Sequence, residues 1–194
     1  MSLLIGNRFI ISRDPESLPG GRVPLFLAHG RAFGSGEHET TSSCIEELEQ
    51  IPVAPDFRVL DLGCGTGILA IAAARLGARN VVALDPSPDA ILTASATIRL
   101  NRLNDAVFPI QGEIGAVGRM RFDLILAYLY GDLLLDLVHP IVSVLKPGGY
   151  LVLSGIQYAD AYDLKTRFAG AGCTIVKDRY LEDYCTLVFR RAQA

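Results

Sequence analysis

The segment Val59-Leu60-Asp61-Leu62-Gly63-Cys64-Gly65-Thr66-Gly67-Ile68 constrains the fold more than any other. Residues 58–61 read as a short apolar strand. Three glycines at alternate positions follow, and small apolar residues 68–76 form a helix that ends before Gly77. A strand that runs through glycines into a helix opens a parallel βαβ unit. Glycines let the backbone turn tightly and let a ligand approach the main chain. In open α/β sheets, ligands bind beyond the carboxyl ends of the strands, near the topological switch point. A glycine triplet alone is equally a tight structural turn.

The pattern repeats downstream. Residues 80–84, 106–110, 122–127 and 150–154 read as strands, and residues 88–100, 132–145 and 161–169 as helices. The helix at 132–145 is expected to bend near Pro140, which cannot donate the helical bond. Residues 174–180 and 184–189 are strands with no helix between them and should pair as an antiparallel hairpin at the sheet edge. Alternating strands and helices imply parallel pairing with right-handed crossovers. The early strands are apolar throughout, as expected when both faces are covered. The predicted fold is an α/β domain with a mostly parallel, Rossmann-like seven-stranded sheet and an antiparallel C-terminal edge strand. It spans residues 31–194. Residues 1–30 form a lead-in, with a strand at 8–12 and a linker at 14–24 rich in turn chemistry. A glycine-rich loop at 30–36 precedes a helix at 40–50, and Glu37 and Glu39 favour its positive end.

Composition narrows the function. Half of the 194 residues are hydrophobic and a fifth are charged, which excludes extended disorder. The net charge is −3, without a Lys/Arg run, which argues against a dedicated nucleic-acid binder. No apolar stretch reaches the ~18–20 residues of a membrane helix, and no secretory signal is evident at the N-terminus. Cys44, Cys64, Cys173 and Cys185 form no CxxC pair. They read as reduced core thiols of a cytoplasmic protein. No histidine–cysteine–carboxylate spacing suggests a metal site.

Asp85 closes the second strand of the unit, 22 residues after Gly63. An acid there can accept both hydroxyls of a ribose. The nicotinamide alternative fails on detail. Its fingerprint needs Gly or Ala three positions after the middle glycine, where this chain has Ile68. Asp61, before the loop, would also face a pyrophosphate unfavourably. The pattern Asp-x-Gly-x-Gly-x-Gly instead resembles the first motif of class I S-adenosylmethionine-dependent methyltransferases. That cofactor has no phosphate, and its cationic sulfonium and amino groups tolerate a nearby carboxylate. Gln111-Gly112-Glu113 places Glu113 where this superfamily often contacts the adenine amine, and Glu113 is equally a solvated loop acid. Leu145-Lys146-Pro147-Gly148-Gly149 also resembles the superfamily.

The segment Ala32-Phe33-Gly34-Ser35-Gly36-Glu37-His38-Glu39-Thr40-Thr41 resembles the hallmark of the PrmA family. That family methylates amino groups of a protein of the large ribosomal subunit. The likeness continues through residues 63–73, Ser143-Val144-Leu145 and Leu153-Ser154-Gly155-Ile156. It implies S-adenosylmethionine as cofactor, with Phe33, Thr41, Asp61, Gly63, Gly65, Gly67, Asp85 and Glu113 as cofactor-binding residues. It also implies that residues 33–41 fold over the cofactor's methionine end. Two features depart from the family. The chain starts near the family's linker, without the N-terminal domain that docks the ribosomal protein. Ala127-Tyr128-Leu129-Tyr130 stands where the family has Asn-Ile-Leu, which places Tyr128 at the asparagine position.

The implied chemistry is an in-line displacement that needs nucleophile and methyl held in near contact. A lysine acceptor must first lose a proton from a reference pKa of ~10.4. Tyr128 is the catalytic candidate, followed by Tyr130 and Asp132, and Asp132 equally suits a helix start. His38 could orient an acceptor or stay a surface residue, whereas His29 and His139 read as structural. The Asn/Asp-Pro-Pro-aromatic stretch of amide and adenine methyltransferases is missing, as is the Pro-Cys pair of cytosine-carbon enzymes. The resemblance therefore implies a protein substrate, which in the family is a ribosomal one. The alternatives are a small-molecule methyltransferase and a non-catalytic cofactor-binding module.

Overall fold

The computed structural model describes residues 3–12, 21–30 and 32–193. Strands β4 (Arg58–Leu62), β5 (Asn80–Asp85), β6 (Val107–Gln111), β7 (Phe122–Tyr128), β8 (Leu145–Gln157), β9 (Cys173–Tyr180) and β10 (Tyr184–Arg191) form one sheet. Its order is β6-β5-β4-β7-β8-β10-β9. Strands β4 to β8 pair in parallel, and β10 runs antiparallel to both neighbours. The terminal hairpin lies at the edge as expected, with its last strand inserted between β8 and β9. From β4 the chain steps outward to β5 and β6, then returns to the other side of β4 with β7. The loops after β4 and β7 therefore diverge, which opens a crevice at the carboxyl ends of these strands.

Helices α1 (Glu39–Leu48), α2 (Ile68–Arg75) and α3 (Pro88–Leu100) contribute to one core, and α4 (Gly131–Asp136), α5 (Val138–Val144) and α6 (Tyr158–Gly170) to the other. The period of two explains the unbroken apolar strands. Val59, Leu124 and Leu126 face the first core, while Leu60, Ile125 and Ala127 face the second. The helix does break near Pro140, but the proline does not cause the break. The break falls at Leu137, so Pro140 lies in the first turn of α5. Its missing N–H costs no helical bond there.

The expected linker at 14–24 lies partly outside the described residues, and its last two residues belong to a strand. Strands β1 (Leu3–Ile5), β2 (Phe9–Ser12) and β3 (Val23–Phe26) form a small second sheet. Ile5, Phe9, Ile11 and Leu25 are buried in the same cluster as α1 and α2. The Glu49 carboxylate, at the end of α1, accepts from the main-chain N–H groups of Asn7 and Arg8, each at 2.8 Å.

Helix α1 is tied to the sheet through a buried hydroxyl chain. Ser43 donates to Thr186 Oγ1 at 2.8 Å, Thr186 and Ser154 share a bond of 2.9 Å, and Ser154 donates to the Thr40 carbonyl at 2.9 Å. Ser154 uses its proton on that carbonyl, so Thr186 donates to Ser154. The buried Glu47 carboxylate pairs with Arg179 and Lys177 at 2.7 and 2.8 Å, which compensates its charge. These bonds hold α1 against β8, β9 and β10.

Candidate active site

Gly63, Gly65 and Gly67 have φ of +75°, +53° and +80°, a region that strains any residue with a Cβ. The N–H groups of Gly63 and Cys64 donate to the Leu84 carbonyl at 2.9 and 3.1 Å, which fixes the loop to β5. Asp85 reinforces it: Oδ2 accepts from the Gly65 N–H at 3.0 Å and Oδ1 from the Ser87 N–H at 2.9 Å. Each carboxylate oxygen has a second lone pair for a ligand. The segment after Ala32 crosses this loop. Thr66 donates its N–H to the Phe33 carbonyl at 2.9 Å and its hydroxyl to the Gly34 carbonyl at 2.6 Å. A Cβ on Gly65 would lie 2.3 Å from the Phe33 carbonyl oxygen.

A cavity of about 420 Å³ opens beyond these strand ends, within the ~300–1,000 Å³ of small-molecule sites. Of the residues singled out from the sequence, Phe33, Gly63, Gly65, Asp85 and Tyr128 line it, together with His38 and Tyr130. Thr41, Asp61, Gly67, Glu113 and Asp132 do not. Gly67 instead faces α3, where an added Cβ would lie 3.2 Å from Ala94 Cβ. Glu113 is exposed ahead of a short 3-10 turn. His29 and His139 are exposed and do not line the cavity. Among the described residues, no group of three or more His, Cys, Asp or Glu side chains is placed to hold a metal ion.

Two fully buried polar atoms beside the cavity residues have no hydrogen-bond partner, Thr41 Oγ1 and Asp61 Oδ1. The other Asp61 oxygen accepts from the Ala70 N–H at 2.9 Å. Burial pushes the Asp61 carboxyl up to about 7; the Ala70 bond offsets part of this and the charge of Asp85 adds to it. Burial, reinforced by Asp61 and Asp85, also drives the Cys64 thiol far above the thiolate range. Cys64 lines the cavity but is no nucleophile.

The opposite wall is aromatic. The Phe33 ring lies 5.4 Å from that of Tyr128 and 6.1 Å from that of His38, and Tyr184 meets His38 edge-on at 5.3 Å. The Tyr128 hydroxyl shares a short hydrogen bond with Thr40 Oγ1, which lies 2.6 Å from His38 Nδ1. Burial raises the Tyr128 phenol above its ordinary value, and the hydrogen bond with Thr40 offsets part of that rise. Tyr184 and Thr40 escaped the sequence reading. Tyr184 is one residue of an alternating strand and carries no local signal, and Thr40 reads as ordinary helix-start chemistry.

The strand order, the glycine loop at the switch point and the acid closing the next strand define a class I methyltransferase fold. The family model described as ribosomal protein L11 methyltransferase (PrmA) matches residues 3–192, and the chain belongs to that family. A ribosomal protein L11 methyltransferase of Chloroflexus aurantiacus is 37% identical over 88% of this chain and 59% of its own length. One of Pelobacter propionicus is 38% identical over 98% of this chain and 63% of its own. The chain thus spans about 60% of the length of these relatives. The crystal structure of a ribosomal protein L11 methylase from Lactobacillus delbrueckii superposes with a TM-score of 0.90 at 29% identity, over 99% of both chains. An RNA methyltransferase of Salinibacter ruber, solved with S-adenosyl-L-homocysteine, shares the fold at 20% identity and a TM-score of 0.64, over 78% of this chain and 92% of its own.

Proposed function

We propose that this chain is an S-adenosylmethionine-dependent methyltransferase that modifies amino groups of a protein, with ribosomal protein L11 as acceptor. The observation that carries the reading is the segment of residues 33–41, hydrogen-bonded across a glycine loop that Asp85 braces. The residues present suit the cofactor. Asp85 retains lone pairs for a ribose, the orphaned Asp61 Oδ1 suits a cationic amine, and Thr41 Oγ1 can donate to a carboxylate. The proton that burial favours on Asp61 is released more readily beside a cation. Glu113 is the adenine-side candidate. When bound, the cofactor supplies a methyl group activated on a sulfonium.

The chain's own residues then hold the acceptor and keep water out. Phe33 and Tyr128 wall the cavity, and Gly63 lets Leu129 close in, because a Cβ there would lie 2.5 Å from Leu129 Cδ2. Tyr128 is the catalytic residue facing the amine. The four cysteines are buried and unpaired, consistent with work in a reducing cytoplasm. Among the described residues no helix is long and apolar enough to cross a membrane.

Incubation with methyl-labelled cofactor and purified ribosomal protein L11 tests the reading. Label should appear in L11. Label confined to the small-molecule fraction of a lysate would move the function to a small-molecule methyltransferase. Cofactor binding without turnover on any fraction would leave a binding module.

A further inference from the structure

We propose that Tyr128, Thr40 and His38 form a proton wire that carries a proton from the acceptor amine in the cavity to the imidazole at the protein surface. The inference rests on the amino-group reading above. A lysine or N-terminal amine arrives largely protonated at neutral pH and must expose a lone pair before it can be methylated. Among the described residues, the only carboxylate lining the cavity is Asp85, and two main-chain N–H groups already hold it.

The bonds around His38 set the direction of the wire. His38 is the N-cap of α1, and its Nδ1 accepts from the Thr40 N–H at 3.4 Å. That nitrogen therefore carries a lone pair, and the ring proton sits on Nε2. The Thr40 hydroxyl, 2.6 Å from Nδ1, must then donate to it. Having spent its proton, Thr40 Oγ1 accepts from the Tyr128 hydroxyl. The phenol oxygen is left with a lone pair for a proton from the amine. Three bonds break and three form. An amine N–H proton moves to Tyr128 Oη, the phenol proton to Thr40 Oγ1, and the Thr40 proton to His38 Nδ1. The amine becomes neutral, both hydroxyls are restored, and the positive charge now lies on the imidazole.

His38 is exposed, so its Nε2–H can pass to water, and exchange of the remaining ring proton with water restores the Nε2–H tautomer. A phenol held protonated by burial acts as a conduit rather than a base. Tyr128 touches the acceptor and is catalytic, whereas Thr40 and His38 act through it as positioning residues. The other titratable groups nearest the wire are Tyr184 on β10, Cys44 on α1, and Glu37 and Glu39 beside His38.

Tyr128→Phe, Thr40→Val and His38→Asn test the wire, and asparagine keeps a capping oxygen without a titrating nitrogen. Labelled cofactor and ribosomal protein L11 are the probes. Each variant should lose roughly ten- to a hundredfold in kcat near neutrality. The loss should shrink as pH rises and the amine deprotonates by itself, with cofactor affinity unchanged. A purely structural role would lower kcat equally at every pH or act through KM, and that outcome overturns the wire. Nitrogen NMR of His38 in the free protein gives an independent readout. The Nε2–H tautomer is expected in the wild type and also in Thr40→Val, which keeps the main-chain N–H on Nδ1; an Nδ1–H tautomer overturns the proposal. A wild-type protein that leaves L11 unlabelled refutes the acceptor reading instead, and the tautomer then decides the wire.

Discussion

The two walls of the cavity are built from different material. The wall formed by β4, β5 and their loops is main chain: glycine N–H groups, the Leu84 carbonyl and one bracing carboxylate. The wall formed by residues 33–41, β7 and β10 is side chain: Phe33, His38, Tyr128 and Tyr184. A main-chain wall is set by where glycines fall and tolerates almost no added volume. A side-chain wall can change its chemistry without moving the backbone. The cofactor wall should therefore respond to substitution in binding, and the acceptor wall in turnover.

The strongest way to break this contrast is Gly65→Val. The left-handed φ alone costs about 1–2 kcal/mol, and the new Cβ would strike the Phe33 carbonyl oxygen. Cofactor binding should vanish and the segment after Ala32 should lift off. Calorimetry that finds binding retained by a folded variant would refute a main-chain wall. Gly67→Ala is the control. It has the same strain but faces Ala94 rather than the cavity, so it should lose stability and keep affinity.

Asp85→Ala comes next. It removes an acceptor from Gly65 and Ser87 as well as the ribose contacts. Charge-assisted bonds contribute about 1.5–3 kcal/mol each, so affinity should fall at least about tenfold. Unchanged affinity by calorimetry would remove Asp85 from the site.

The same division decides how much of the molecule was legible in the sequence. The glycine loop, Asp85 and strands β4 to β7 were readable because each is specified within a few neighbouring residues. On the acceptor wall, Phe33, His38 and Tyr128 were readable as candidates but their connection was not, because Tyr128 meets Thr40 across 88 residues of sequence and no local pattern encodes that contact. Tyr184 reaches His38 only because β10 inserts beside β8. Strand β3 was missed because Pro24 reads as turn chemistry, whereas proline is tolerated at a sheet edge such as this one. The helix breaks at Leu137 rather than at Pro140 itself for a related reason. A proline is as acceptable in a first turn as at a kink, and only packing chooses between them.

Asp61 offers a gentler test through pH. Its folded carboxyl is raised to about 7. Between the ordinary carboxylate range and about 7, the folded state keeps a proton that the unfolded chain has lost. Stability should therefore fall as pH rises through that window. Asp61→Asn should flatten this dependence while keeping an oxygen for the Ala70 N–H. Urea midpoints measured from pH 4 to 8 check it. A wild-type midpoint that rises across the window, or a variant with the same slope, would contradict a buried acid with one oxygen unpartnered.

The smallest expected effect concerns ordering of residues 33–41. The far end of the segment is already fixed, since the Thr41 N–H bonds the His38 carbonyl at 3.0 Å and Ser154 holds the Thr40 carbonyl. The near end is held by Thr66 at the carbonyls of Phe33 and Gly34. Between them, Gly34 and Gly36 have φ of +103° and +83°, and the Glu37 N–H makes only a 3.4 Å bond to Ser35. Cofactor should therefore slow hydrogen exchange mainly between these two clamps, by under about tenfold, because local opening there starts from a small free energy. Amides of Gly63, Gly65 and Gly67, already bonded within the protein, should change less. Equal protection of the 34–37 amides with and without cofactor would mean that the segment is a fixed cap for α1. A large gain spread evenly over both walls would mean that the cofactor wall is not preformed, and the contrast between the two would fall.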